Sequence, residues 1–516
     1  MMPGALSHGC LLRRIMLPQF LRRCCKALTI PCWCLLLSTG CATHPWRAGT
    51  GGAALDESDY EFSKALAHYS QGLIFESERP KDLKKALAEF EAACKFDPGS
   101  PRPYGKMAVD ALCLRLPDKA IEALKKACDI DPDASQPWVD LASTYQLCGQ
   151  SELAVKYYGK ALSRAPTNTL VRLELARINF QLKHDDQALK ILKQGLSKSD
   201  NPRLVLAFAY GLGREFIENK EVSRAVPCLR FVADNVSTQR QEFYHRLGEL
   251  YEALGEQKQA LDSFMLATKE DAPLPDSFVR LAAIYMETDP AKAIETLLNA
   301  DRRIPDNPII LFALACIYSV EKEYQKAVQE FQEVRDITNR SGQKLSAGFY
   351  FYYGSAYERM GEFKKAEEVF KECISLYPDA HEVLNYLAYM WADKGENLGK
   401  ALEYVDRALE LDPENGAYID TLGWIYYKQK KYTKARDQIL EANELIKDDP
   451  TVNEHLGDIF QALNDNEKAL SYWKRSFVLD PKNENVAQKL QGQGGDVDAL
   501  RKEAAKSVKQ PSKTEQ

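Results

Sequence analysis

The chain has 516 residues, too many for one ordinary core, so its 45% apolar content must be buried either by three or four domains or by a repeating architecture. Its formal charge of −6 conceals a basic start. Residues 1–40 carry five cations (Arg13, Arg14, Arg22, Arg23, Lys26) and no acid, which leaves 63 basic and 74 acidic residues, or −11, in the rest. A body that acidic argues against nucleic acid or anionic lipid as a charge-driven partner.

The first predicted element is an address. "FLRRCCKALTIPCWCLLLSTGC" has a basic segment, an apolar run over 27–37 too short to span a bilayer, and small residues before Cys41, as a signal peptide does. Residues 1–15 add nothing a signal needs, so Met16 is an alternative start. "LSTGC" resembles the lipobox of bacterial lipoproteins through Thr39, Gly40 and Cys41, although Leu37 stands four residues before the cysteine, not three. The resemblance implies a lipid on Cys41. With no aspartate at Ala42 or Thr43, it also implies an outer-membrane destination. Ordinary secretion and an organellar transit peptide are the alternatives. Residues 41–59 then read as a flexible tether, so the membrane would be reached only through the lipid.

From residue 60 to 483 one pattern repeats. Alanines at 86, 120, 154, 188, 225, 260, 293, 327, 366, 401, 435 and 469 are separated by 34, 34, 34, 37, 35, 33, 34, 39, 35, 34 and 34 residues. Twelve residues upstream of most of these alanines stands a glycine or alanine, as in Gly248, Gly354, Gly423 and Gly457. Eleven repeats fill this slot with Gly or Ala, and the first is degenerate by the same count. A helix-interior glycine costs about 1 kcal/mol against alanine, so the slot predicts a close crossing of two helices. The fullest copy is Trp138, Leu141, Ala142, Tyr145, Ala154, Tyr158 and Pro166. This pattern resembles the tetratricopeptide family. The resemblance implies an all-α, right-handed solenoid of about twelve helix-turn-helix repeats. The 37-residue step places a possible joint near 200–205, and the 39-residue step another at 338–348. Residues 484–516 read as a short helix and a disordered tail.

No catalytic motif survives inspection: there is no G-x4-G-K-[ST], no H-E-x-x-H and no G-x-S-x-G. The cysteines after Cys41 (94, 113, 128, 148, 228, 316, 373) contain no C-x2-C pair and read as small apolar fillers, so no metal or cofactor is expected. An odd set of thiols fits poorly with an oxidising periplasm. His455 reads as a surface or groove residue. Tyr350, Tyr353 and Tyr357 fall on core slots.

The chain therefore reads as a binder of other proteins or peptides, with no small-molecule substrate evident. In such arrays the first helices line a concave surface. Residues one beyond the first and third slots point into it, which pairs Phe312 with Cys316, Phe351 with Ser355, Asn385 with Tyr389, Asp420 with Trp424, and Glu454 with Asp458. An extended peptide would lay apolar groups on Phe312, Phe351, Tyr389 and Trp424 while Asn385 bonds its backbone. The alternative is that these rings pack on neighbouring helices. The block "LNYLAYMWADKGENLGKALEYVDRALELDPENGAYIDTLGWIYYKQ" further resembles bacterial outer-membrane tetratricopeptide lipoproteins. Some of those are adaptors for a periplasmic carboxyl-terminal processing protease, which implies a scaffold joining a protease to its client. An assembly subunit of an export or polysaccharide-secretion machine and an intracellular co-chaperone are the other readings.

Overall fold

The computed structural model describes residues 56–507, and among these residues the chain is built of 26 α-helices. The leader, Cys41 and most of the tether lie outside the described residues. Twenty-four helices form twelve repeats, each an A helix followed by an antiparallel B helix. Repeats 1–6 run from Glu57–Ser77 to Gln257–Lys269 and form one compact unit that ends at Leu274. Repeats 7–12 run from Pro275–Met286 to Asn466–Leu479 and belong to a second unit. Two further helices follow there, Glu484–Gly492 and Val497–Ser507, where the sequence suggested one helix and a tail.

The repeating alanines explain why the pairs close. All twelve are 0% exposed, each lying where its B helix meets the A helix. The glycine slot is the opposite wall. A Cβ on Gly248 would stand 2.5 Å from the Phe264 ring, and side chains on Gly354, Gly423 and Gly457 would collide with Phe370, Ile439 and Trp473. Each obstructing residue lies sixteen positions downstream. The first repeat has the same arrangement: a Cβ on Gly72 would stand 2.6 Å from the Phe90 ring, eighteen positions away. The period alone missed it because the turn between Glu57–Ser77 and Leu83–Phe96 is longer.

Most A helices end in one way. Arg115, Lys183, Lys220, Lys322, Lys430 and Asn464 adopt φ between 61° and 64°, and Gly149, Gly255, Gly361 and Gly395 adopt φ between 71° and 82°. This left-handed corner reverses the chain. The next N–H then returns to a carbonyl of the last A-helix turn, as from Gln150 to Tyr145 and Glu362 to Tyr357, both at 2.9 Å.

The 37-residue step is absorbed inside a helix, and the 39-residue step is shared between a helix and the six-residue loop 341–346 that follows it. Pro202–Glu218 has 17 residues where most A helices have 13, and Tyr324–Arg340 has 17 where most B helices have 14. Tyr377 then pins the following loop by donating its hydroxyl to the Leu345 carbonyl. Cys94, Cys128, Cys228 and Cys373 are buried fillers, but Cys113 is exposed and Cys148 and Cys316 are partly so. Burial pushes the Cys94, Cys128 and Cys228 thiols up to about 12. Tyr350, Tyr353 and Tyr357 are core residues.

A candidate protein-binding face on the A helices of repeats 8–12

Five A helices of the second unit carry the sequence-predicted residues: Pro308–Val320, Ala347–Arg359, His381–Lys394, Gly416–Lys428 and Pro450–Ala462. Their side chains fall into three groups.

Phe312, Phe351 and Asn385 are partly exposed on the face. Phe312 stands edge-on to Phe331 and Tyr352, each with ring centres 5.9 Å away, and Phe351 stands edge-on to Tyr386 at 5.3 Å. Edge-to-face packing holds these rings at fixed angles while leaving part of each uncovered. Ser355 returns its hydroxyl to the Phe351 carbonyl at 2.7 Å and so turns away from a ligand. Cys316 is half-buried, and burial pushes its thiol up to about 12, so it stays protonated. The Asn385 Oδ1 atom is itself shielded from water and accepts no hydrogen bond among the described residues.

Tyr389, Asp420 and Trp424 are instead packed between helices, at 8, 0 and 6% exposure. Asp420 faces His455, whose Nδ1 lies 2.9 and 3.0 Å from the two carboxylate oxygens. The imidazole stacks on Trp424, with centres 3.9 Å apart and planes 14° apart, and Trp424 stacks in turn on Tyr427 at 4.7 Å. His455 is therefore an interior residue, 4% exposed, where its slot suggested surface or groove. Burial opposes its protonation, but the Asp420 carboxylate outweighs this and holds its pKa above the ordinary value of 6.5. Asp420 and His455 are 35 positions apart, one more than the repeat, so one A helix hands a carboxylate to the next.

Glu454 and Asp458 make the same kind of contact one step further on. The Lys489 ammonium, on helix Glu484–Gly492, lies 2.8 Å from Glu454 and 2.7 Å from Asp458. Asn483 and Asn485 donate to Glu454 at 2.9 and 2.8 Å, and Trp473 Nε1 donates to Asp458 at 3.0 Å. Burial alone would raise the Glu454 pKa, but the Lys489 contact lowers it below the usual carboxylate range. The acidic end of the predicted groove is thus engaged by the chain's own next helix. The open part of the face runs from Phe312 to Asn385.

Two tetratricopeptide-repeat models match this sequence, one over residues 203–398 and one over residues 149–209. A Drosophila melanogaster relative, a BBSome complex member BBS4 homolog, is 27% identical over 320 residues, covering 60% of this chain and 63% of the relative. A TPR repeat-containing protein of Pseudomonas aeruginosa, PA4667, is 26% identical over 216 residues, covering 42% of this chain and 36% of the relative. The match thus spans less than two thirds of either relative. Among solved structures, yeast Tom70 aligns over 87% of this chain and 99% of its own, with 17% identity and a TM-score of 0.35. Pseudomonas aeruginosa PilF aligns over 42% and 97%, with 19% identity and a TM-score of 0.35.

Proposed function

Because this chain is a tetratricopeptide-repeat protein, we propose that it is a non-catalytic scaffold that seats an extended stretch of another polypeptide on the A helices of repeats 8–10. The observation that carries this reading is the row of partly exposed side chains on successive A helices, Phe312, Phe351 and Asn385, with both rings held edge-on by their neighbours. Aromatic groups at the centre of such a face supply most of the affinity.

The protein works at the bacterial envelope in this reading, held by a lipid on Cys41 at the outer membrane and facing the periplasm. It brings a processing protease and its client together and so raises their effective concentration. Support comes from the lipobox-like LSTGC and the basic–apolar leader. Among the described residues no helix is long and apolar enough to cross a membrane. The seven free thiols favour a second reading, an intracellular co-chaperone. An export-machine subunit is a third.

Two measurements test these readings. Proteins captured from native envelope by the wild type and by Phe351→Ser/Asn385→Ala should differ in the same few identified chains while helicity stays unchanged; identical capture refutes the face. Labelled fatty acid should enter the protein through Cys41, and label surviving Cys41→Ser removes the anchor. Tyr389 and Trp424 are unsuited to this test, since truncating buried rings costs stability.

A further inference from the structure

The first unit holds a buried acid at a place built for an apolar residue. Two residues beyond the slot glycine or alanine, other A helices bury Ile178, Ile317, Ile425 and Ile459. Repeat 2 has Asp110 there, 1% exposed, on helix Pro101–Cys113. Its Oδ2 atom is shielded from water and accepts no hydrogen bond among the described residues. What faces it is a second acid, Glu76 of helix Glu57–Ser77 in repeat 1.

The charges around this contact do not balance. On Asp110's own helix, the Lys106 ammonium lies 2.7 Å from Glu76. Lys81, in the turn after the first helix, is exposed and acts from further off. The neighbouring B helices bring charges that are engaged elsewhere: Lys85 pairs with Asp82 at 3.1 Å and Lys119 pairs with Glu91, while Asp118 is exposed. Two facing carboxyls thus share one close ammonium, and like charges so placed resist ionising together. Burial first, and Glu76 second, push the Asp110 carboxyl up to about 6.

We propose that Asp110 and Glu76 form a proton-operated clasp that fastens repeat 1 to repeat 2. With a proton on Asp110, its hydroxyl donates to Glu76 while Lys106 holds that carboxylate from its own side. Without the proton, two negative charges oppose each other across a dry contact. Because the folded Asp110 value is raised, the clasp's contribution is complete below the ordinary 3.8 and is lost as pH rises through about 6. Among the described residues, repeat 1 has a neighbouring repeat on one side alone, so the loss appears as local opening of helix Glu57–Ser77. The clasp is independent of the face on repeats 8–10 and of the Asp420–His455 pair.

The test is hydrogen exchange of the full chain, corrected for the intrinsic rate. Helix Glu57–Ser77 should open roughly tenfold more readily at about pH 7.5 than at about pH 5. Asp110→Asn, which keeps the shape and cannot ionise, should hold the helix closed at both values, and His455→Gln should leave the wild-type difference intact. Glu76→Gln should remove the difference by another route, since Lys106 is then free to pair with Asp110. The Asp110 carboxyl carbon, followed by NMR, should titrate near 6. Opening that still rises with pH in Asp110→Asn, a difference undiminished in Glu76→Gln, or an Asp110 carbon that titrates in the ordinary aspartate range overturns the proposal.

Discussion

At position 354 one methyl group has nowhere to go, because it would clash with the edge of the Phe370 ring. At position 105 the same methyl meets nothing. Gly354→Ala should therefore lose about 1–3 kcal/mol through overpacking, while Gly105→Ala should gain about 1 kcal/mol from helix propensity. Denaturant unfolding of the two variants checks the opposite signs. The Asp420–His455 pair gives a second residue-scale test. The folded His455 pKa lies above 6.5, so the contribution of the charged pair is complete below 6.5 and fades as pH rises through the raised value. The wild-type unfolding midpoint should fall across that window, and His455→Gln should lose the dependence. The sequence showed which face of a helix each slot occupies, and Tyr350, Tyr353 and Tyr357 followed it. It did not show how far a side chain reaches into the next repeat. Asp420 and Trp424 therefore read as groove residues, although their partner 31 or 35 positions on encloses them.

The hairpin is the unit in which the fold was most legible. A small residue and an alanine about twelve apart describe one helix crossing, and that geometry admits only glycine or alanine in eleven repeats. Gly72 escaped notice only because two extra turn residues changed the count. The left-handed corners were not legible, because lysine, arginine, asparagine and glycine all occupy them. For a residue with a Cβ that conformation costs about 1–2 kcal/mol, partly offset in the comparison by glycine's greater freedom when unfolded. Lys322→Gly should thus raise stability by roughly 0.5 kcal/mol or more, and Gly361→Ala should lower it by about 1 kcal/mol. Neither side chain takes part in the core, so a change in thermal midpoint reports the backbone alone. The extra residues of Pro202–Glu218 and Tyr324–Arg340 were visible as broken steps. That they lengthen helices was not visible, since added length and an added loop give the same count.

Across the molecule, stability is a sum over neighbouring repeats. Lys489 joins the helix Glu484–Gly492 to the last full repeat through two carboxylates that are mostly enclosed. Lys489→Ala leaves both without their cation, at a cost of about 2 kcal/mol. Hydrogen exchange should quicken in Pro450–Ala462 and Glu484–Gly492 while repeats 1–6 stay protected. Uniform acceleration along the chain would show that neighbours do not carry stability separately. The corner residues have a practical value at this scale. Lys183 and Lys220 in one unit, and Lys322 and Lys430 in the other, are exposed at equivalent bends. Within each unit these amines mark known repeats, and a short amine-reactive cross-linker read by mass spectrometry would report which of them a captured polypeptide lies against.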